Sequence, residues 1–319
     1  MSGILQFVVT YTNSMVNLSV HLAGIQLQNP LILASGVMGV SASSLRYIQE
    51  NGAGAVTMKS IGPVERLGHH NPTVYSWGEG IHNAVGLSNP GTAEGAEHLE
   101  EMKNRLDIPV IASCFADTID NITKVAEKLL EKEPVALELN LSCPNTEDDF
   151  GRMFALDIKA TERAVASVKK IAGKTKIFAK LSPDSPDTVE IGKAAEAAGA
   201  DGLTATNTLS GMIIDIQVKR PILHNKFGGL SGPAIKPVVV RAVYSLYKAV
   251  KIPIIGTGGV TTGEDAIEMI MAGATAVGVG SAIYYRGIDV FKKINDEIKE
   301  FMEKEGYKSV NEIKGAAHI

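Results

Sequence analysis

The sequence predicts an α/β protein: a closed (β/α)8 barrel with an N-terminal β-hairpin at the barrel floor. Three observations lead there. Eight short runs rich in β-branched and aliphatic residues recur along the chain, segments with helical period and Ala, Glu and Lys content separate them, and 319 residues suffice for eight such repeats. Unbroken apolar stretches such as Val-Ile-Ala and Ile-Ile-Gly suit parallel strands covered on both faces. An open doubly wound sheet is the alternative architecture, and the number of strand–helix pairs favours closure.

Taken in order, residues 1–15 read as an N-terminal extension. Within residues 16–30, Val16 to His21 and Ile25 to Gln28 flank Ala23-Gly24, the pattern of a tight hairpin. The barrel strands are then expected at Leu31 to Ala34, Ala55 to Met58, Pro109 to Ala112, Val135 to Leu141, Lys176 to Leu181, Gly202 to Thr206, Pro253 to Gly256 and Ala276 to Gly280. Asp184 to Ala198 is the clearest intervening helix. It opens on Asp and Pro, aligns Ile191, Ala194, Ala195 and Ala198, and stops at Gly199. Two long stretches, Lys59 to Pro90 and Asn207 to Pro233, break the regular spacing after strands two and six, on the face where barrels keep function. No fixed-period repeat, low-complexity tract or Pro/Ser-rich linker interrupts the chain, so residues 1–319 are expected to form one domain.

Composition narrows the function classes. With 45% apolar and 21% charged residues the chain can bury a large core, and 31 Lys and Arg against 35 Asp and Glu leave a formal net charge of −4. No basic excess advertises nucleic acid or an anionic membrane. Two cysteines, Cys114 and Cys143, are too few for a disulfide scaffold or for an iron–sulfur cluster, which takes about four protein ligands. The apolar run Ile4 to Val9 is broken by Gln6 and lacks a basic flank, so neither a secretory signal nor a membrane span is expected and the chain reads as cytoplasmic.

Polar residues gather at the C-terminal ends of the expected strands: Ser35, Lys59 and Ser60, Ser113, Asn140 with Ser142 and Cys143, Lys180, and Asn207 with Thr208. A barrel brings these to one mouth. Ser35 and Ser113 read equally well as site residues and as helix caps or solvated loop residues. Lys59 and Lys180 directly follow buried apolar strands, so their charges point into the mouth and call for an anion. Gly-Thr-Gly-Gly-Val at 256–260 ends strand seven and Gly-Val-Gly-Ser-Ala at 278–282 ends strand eight, where barrels build phosphate cradles from backbone amides. Gly228-Gly229 and Ser231-Gly232-Pro233 add a further backbone surface. Cys114 reads as an inert buried thiol, whereas Cys143 is bracketed by polar residues and begins an acidic, Gly-containing loop, Thr146 to Arg152, suited to carry a base over the site. Adjacent His69 and His70 read as loop residues rather than metal ligands, and no metal site is expected.

Together the motifs resemble class 1 dihydroorotate dehydrogenases over roughly residues 16 to 305: Met-Lys-Ser at 58–60, Asn-Ala-Val-Gly-Leu-Ser-Asn-Pro-Gly at 83–91, Asn-Leu-Ser-Cys-Pro-Asn at 140–145, Lys-Leu-Ser-Pro at 180–183, Asn-Thr at 207–208, Gly-Gly-Leu-Ser-Gly-Pro-Ala at 228–234 and Gly-Thr-Gly-Gly-Val. The resemblance implies an FMN-containing (β/α)8 barrel that oxidises dihydroorotate to orotate in pyrimidine synthesis. Carried over by motif, Ser35, Lys59, Ser60, Ser113, Asn140, Lys180, Thr206, Gly232, Gly258, Gly259, Gly280 and Ser281 would contact FMN, the last four at its phosphate. Lys59, Asn83, Ala84, Val85, Gly86, Leu87, Asn140, Asn207 and Thr208 would hold the substrate. Cys143 would be the base that takes the C5 proton while C6 delivers hydride, and Lys180 would stabilise negative charge on the reduced flavin.

Leu-Ser-Gly-Met-Ile-Ile-Asp at 209–215 followed by Arg220-Pro221 is more similar to subclass 1B than to the fumarate-using 1A homodimers. That likeness implies a homodimer of this chain within a heterotetramer, with FAD and a [2Fe–2S] cluster on an electron-transfer subunit that passes electrons to NAD. Two departures stand out: Ser113-Cys114 replaces the Asn common in 1B relatives, and the loop Thr146 to Met153 is acidic where relatives often carry His or Gly. The alternative readings are a dihydropyrimidine dehydrogenase acting on uracil or thymine, a 1A-type enzyme, and a flavin-binding scaffold subunit without catalysis.

Overall fold

The computed structural model describes residues 16–141 and 153–319. Eight parallel strands close into a barrel: β1 (Leu31–Leu33), β2 (Ala55–Thr57), β3 (Val110–Cys114), β4 (Ala136–Asn140), β5 (Lys176–Lys180), β6 (Gly202–Ala205), β7 (Ile254–Thr257) and β8 (Ala276–Val279). They run in sequence order around the ring, and β8 pairs with β1 to complete it. The helices α1 (Ala42–Glu50), α2 (Thr92–Arg105), α3 (Ile119–Leu130), α4 (Ile158–Lys169), α5 (Thr188–Ala197), α6 (Lys236–Ala249), α7 (Gly263–Met271) and α8 (Val290–Glu305) lie between or after the strands. This is the (β/α)8 TIM barrel that the alternation of strand and helix predicts.

Local chemistry explains each piece. Every residue of β3 and β8 is buried, as strands covered inside and out must be. Helices start on side-chain caps: Ser41, Thr118, Asp157, Asp187 and Thr262 each accept a backbone N–H of the first turn. Inside the barrel a Cβ on Gly202 would fall 2.3 Å from the Phe178 ring, so the missing side chain on β6 is the space that the aromatic on β5 fills. The hairpin is present as Val20–Leu22 paired antiparallel with Ile25–Leu27 through Ala23 and Gly24, both at positive φ. Val20, Leu22 and Leu27 are buried in the core, and Asn17 bridges to Ser309 near the C-terminus.

Every barrel strand differs from expectation by one or two residues at an end, and two shifted boundaries are instructive. The third strand spans Val110–Cys114 rather than Pro109 to Ala112, because Ser113 and Cys114 pair with Glu138 and Leu139 while Pro109 has no N–H to donate. The fifth helix begins after Asp187, not at Asp184. Asp184 is engaged elsewhere: its carboxylate accepts the Ser210 hydroxyl at 2.8 Å and the Ser210 N–H at 3.1 Å.

The two long excursions meet above the mouth. Leu209–Gly211, Gly228–Ser231, Ile81–Asn83 and Val74–Ser76 form one four-stranded antiparallel sheet, to which each excursion contributes two strands. Shorter pairs, Ile214–Asp215 with Arg220–Pro221 and Glu65–Arg66 with Asn89–Pro90, flank it. No helix among the described residues is long and apolar enough to cross a membrane.

Candidate active site

A continuous run of side-chain contacts crosses the mouth from β3 to the end of β6. Ser113 on β3 and Ser60 just after β2 share a hydrogen bond of 2.8 Å, both buried. The Asn140 amide at the end of β4 reaches Ser60 Oγ at 3.5 Å, and Asn207 Nδ2 donates to Asn140 Oδ1 at 3.1 Å. Thr208 N–H donates to Asn207 Oδ1 at 2.8 Å, while the Thr206 hydroxyl donates to the Asn207 carbonyl at 2.9 Å. Thr208 then leads into the antiparallel sheet, where a Cβ on Gly229 would lie 2.0 Å from its Oγ1. Across that sheet Asn83 Nδ2 donates to the Gly229 carbonyl at 3.2 Å. The expected residues Asn83, Asn140, Asn207, Thr208, Ser60 and Ser113 thus form one connected surface. Its amides and hydroxyls offer donors and acceptors to a planar polar ring.

Lys180 ends β5 and is buried. Its Nζ lies 3.3 Å from Ser35 Oγ, beyond β1 on the opposite side of the ring, and 3.5 Å from Glu138 Oε1. Glu138 Oε2 in turn accepts the Thr204 hydroxyl at 2.8 Å. Lys180 and Glu138 side chains are only 6% and 4% exposed, so this is an ion pair inside the barrel.

Lys59 differs. No carboxylate pairs with it among the described residues, and burial alone holds its pKa below the usual lysine value. Its backbone N–H donates to the Gly39 carbonyl at 2.9 Å, and it lines a cavity of about 280 Å³ with Arg66, Ser88 and His98. Cys114 is fully buried. Burial and the nearby Glu138 carboxylate push its thiol far above the ordinary range, which suits an inert packing residue rather than a nucleophile.

At the ends of β7 and β8 the chain presents backbone. Thr257 pairs with Gly278, which brings the two glycine segments side by side. No described residue accepts a hydrogen bond from the N–H groups of Gly258, Gly259, Gly280 or Ser281. Gly259, at φ 78°, sits so close to the start of α6 that a Cβ would lie 2.7 Å from Lys236 N. Nearby cations are already neutralised: Lys236 Nζ lies 2.7 Å from both Asp265 and Glu268, and Arg286 bonds Glu297 at 2.5 Å. Gly232, at φ 94°, sits 2.8 Å, measured from an added Cβ, from the Tyr285 hydroxyl.

Residues 17–302 match the family model of dihydroorotate dehydrogenase. The chain belongs to the dihydroorotate dehydrogenase family. Relatives described as dihydroorotate dehydrogenase B (NAD(+)), catalytic subunit, include one from Methanocaldococcus jannaschii that is 46% identical over 304 residues, covering 94% of this chain and 98% of its own. Those from Methanosarcina acetivorans and Pyrococcus furiosus are each 46% identical, over 299 and 302 residues, covering 93% and 95% of this chain and 95% and 99% of their own. By family the chain is an oxidoreductase.

Within this family member the other expected residues are distributed as follows. Ala84 is buried, Val85 is exposed, and Gly86 and Leu87 both hold positive φ, Leu87 at 55°. His69 N–H donates to the Val85 carbonyl at 3.0 Å and its ring Nδ1 lies 3.2 Å from the Ala84 carbonyl, so His69 braces this turn. Cys143 and the acidic loop that follows it, residues 142–152, lie outside the described residues. Sequence reasoning missed Glu138 and Thr204. The signal was a single Glu inside the apolar run Val135 to Leu141, since a charge in a buried strand requires a buried partner.

Proposed function

We propose that this chain is the catalytic subunit of an NAD-linked dihydroorotate dehydrogenase, oxidising (S)-dihydroorotate to orotate for pyrimidine synthesis with FMN at the barrel mouth. Lys59 is the observation that supports it best. A half-buried ammonium with no described carboxylate partner, next in the chain to Ser60, which opens the run of Ser and Asn side chains, suits a planar polar ring that carries its own carboxylate. Uracil and thymine lack that carboxylate, which disfavours the dihydropyrimidine reading.

The residues present fit FMN. Four backbone N–H groups without described acceptors, on Gly258, Gly259, Gly280 and Ser281, are donors for a phosphate, and the carboxylate-bound state of Lys236 and Arg286 suits a cradle that uses the backbone instead. FMN bound there supplies a hydride acceptor for C6 of dihydroorotate. Lys180 would place positive charge where the accepted electrons leave negative charge. Cys143 would remove the C5 proton, made acidic by the adjacent carbonyl. Lys59 would pair with the substrate carboxylate, and Asn83, Asn140, Asn207 and Thr208 would orient the ring amides, with Ala84 to Leu87 forming the turn beneath them. Ser35, Ser60, Ser113, Thr206 and Gly232 would line the flavin side.

Two cysteines in the chain cannot hold the cluster that NAD reduction requires in this reading. A partner subunit bearing FAD and [2Fe–2S] would therefore take the electrons, in a heterotetramer built on a homodimer of this barrel, and the purified chain alone is expected not to reduce NAD. The test is anaerobic: dihydroorotate and dihydrouracil are mixed separately with the purified FMN-bound chain while flavin absorbance near about 450 nm is followed. Bleaching by dihydroorotate alone is expected; bleaching by dihydrouracil alone would select the pyrimidine-reducing alternative, and bleaching by neither would select the scaffold.

A further inference from the structure

Glu138 has no role in the reaction as set out above, yet among the described residues it is the charged group buried deepest against the site, 3% exposed. Its place follows from the strand register. Asn140 pairs with Lys180 and Glu138 with Phe178, so Glu138 lies one inward-facing layer below the mouth, directly beneath the lysine. Lys180 and Thr204 are themselves paired across β5 and β6. One carboxylate oxygen of Glu138 faces Lys180 Nζ at 3.5 Å and the other accepts the Thr204 hydroxyl at 2.8 Å. Lys180 spans the barrel to Ser35 at the end of the opposite strand, 3.3 Å away, so its ammonium crosses the middle of the mouth.

An apolar layer at this depth would be at least as stable as an ion pair, so packing alone gives no reason for the carboxylate. A buried ammonium, however, is disfavoured unless an anion or hydrogen-bond acceptors compensate its lost hydration. We propose that Glu138, oriented by Thr204, is the positioning residue that keeps Lys180 charged and held across the mouth, so that the lysine can meet the negative charge of the reduced flavin. The inference rests on the flavin reading above. Among the described residues, the titratable groups supplied by neighbouring strands are Glu138 on β4, Cys114 on β3, whose thiol feels the same carboxylate, and Lys59 after β2; β1 and β6 bring the hydroxyls of Ser35 and Thr204.

Sulfite reads this charge without turnover. Its sulfur lone pair forms a reversible bond to flavin N5 and leaves a negative charge on the ring, so adduct affinity reports positive charge beside that ring. The full chain loaded with FMN would be titrated with sulfite at about pH 6.5 and about pH 9, the parent beside Glu138→Gln, Thr204→Val and Lys180→Gln. In Glu138→Gln the ratio of variant to parent Kd should rise roughly tenfold or more from the lower to the higher pH, because the uncompensated lysine gives up its proton. Thr204→Val should move the same way by less, and decides the matter should Glu138→Gln not fold. Lys180→Gln should weaken the adduct at both pH values. A Glu138→Gln affinity equal to the parent's, or lowered by the same factor at both pH values, would overturn the role of Glu138 while leaving the flavin reading intact. A parent that binds no FMN would overturn that reading and this inference with it.

Discussion

The two halves of the barrel mouth are built from different parts of the same polypeptide. Around β7 and β8 the chain offers bare backbone: glycines at positive φ, N–H groups with no acceptor among the described residues, and nearby cations already bound to Asp265, Glu268 and Glu297. From β2 round to β6 it offers side chains, linked from Ser113 through Asn140 to Thr208. The difference matches two recognition problems. A phosphate is a compact anion that converging amide dipoles can hold, whereas a flat ring with alternating donors and acceptors needs side chains of matching polarity.

The largest expected effect lies on the side-chain half. Replacing Cys143 by Ala should retain FMN yet slow dihydroorotate-driven flavin bleaching by about 10²- to 10⁴-fold, the contribution typical of a positioned base. Loss of FMN in that variant would make the residue structural instead. On the backbone half, Gly259→Ala forces a Cβ against Lys236 N at φ 78°, which should cost about 1–3 kcal/mol and lower FMN content. Thermal melting and the flavin-to-protein absorbance ratio check this, and full FMN occupancy would show that the cradle lies elsewhere.

Lys59 sharpens the comparison through pH. Its substitution by Met should raise KM for dihydroorotate about 10- to 100-fold, the worth of one charge-assisted contact. The ammonium is the form that pairs with a carboxylate, and burial lowers its pKa from the usual 10.5. Substrate binding should therefore weaken as pH rises through that lowered value, earlier than for an ordinary lysine. Stability of the ligand-free chain runs the other way. Between the lowered value and 10.5 the unfolded chain binds more protons, so the Lys59 contribution to stability improves as pH rises there. A pH profile of KM in parent and Lys59→Met tests the first statement, since the alkaline rise should vanish in the variant.

The smallest expected effect separates backbone from side-chain recognition most directly. Lys236 stands at the start of α6 beside Gly259, but its ammonium is shared by Asp265 and Glu268. Lys236→Met should change FMN affinity by less than about threefold. A larger loss, measured by fluorescence titration of the flavin, would mean that a side chain does reach the phosphate.

Legibility in the sequence follows the range of the interactions involved. Eight apolar runs, each bounded by helical segments, identify the barrel because burial on both faces is written into every strand separately. The hairpin at Ala23-Gly24 and the helix caps are equally local. Lys59 and Lys180 stand out because each directly follows such a strand. The first turn of the fifth helix was misread since Asp184 is a good cap by composition, while in the fold its carboxylate is committed to Ser210.

By itself, then, the sequence determined the barrel, its strand order and the family motifs, all of which depend on residue type and near spacing. Tertiary structure alone decided how the excursions after β2 and β6 combine. Asn83 meets Gly229 across a sheet whose strands are 146 residues apart in the chain, and no short-range pattern encodes that register. The same holds for Glu138. Its apolar neighbours mark it as out of place, but only closure of the ring sets Lys180 and Thr204 around it and turns an isolated buried charge into a paired one.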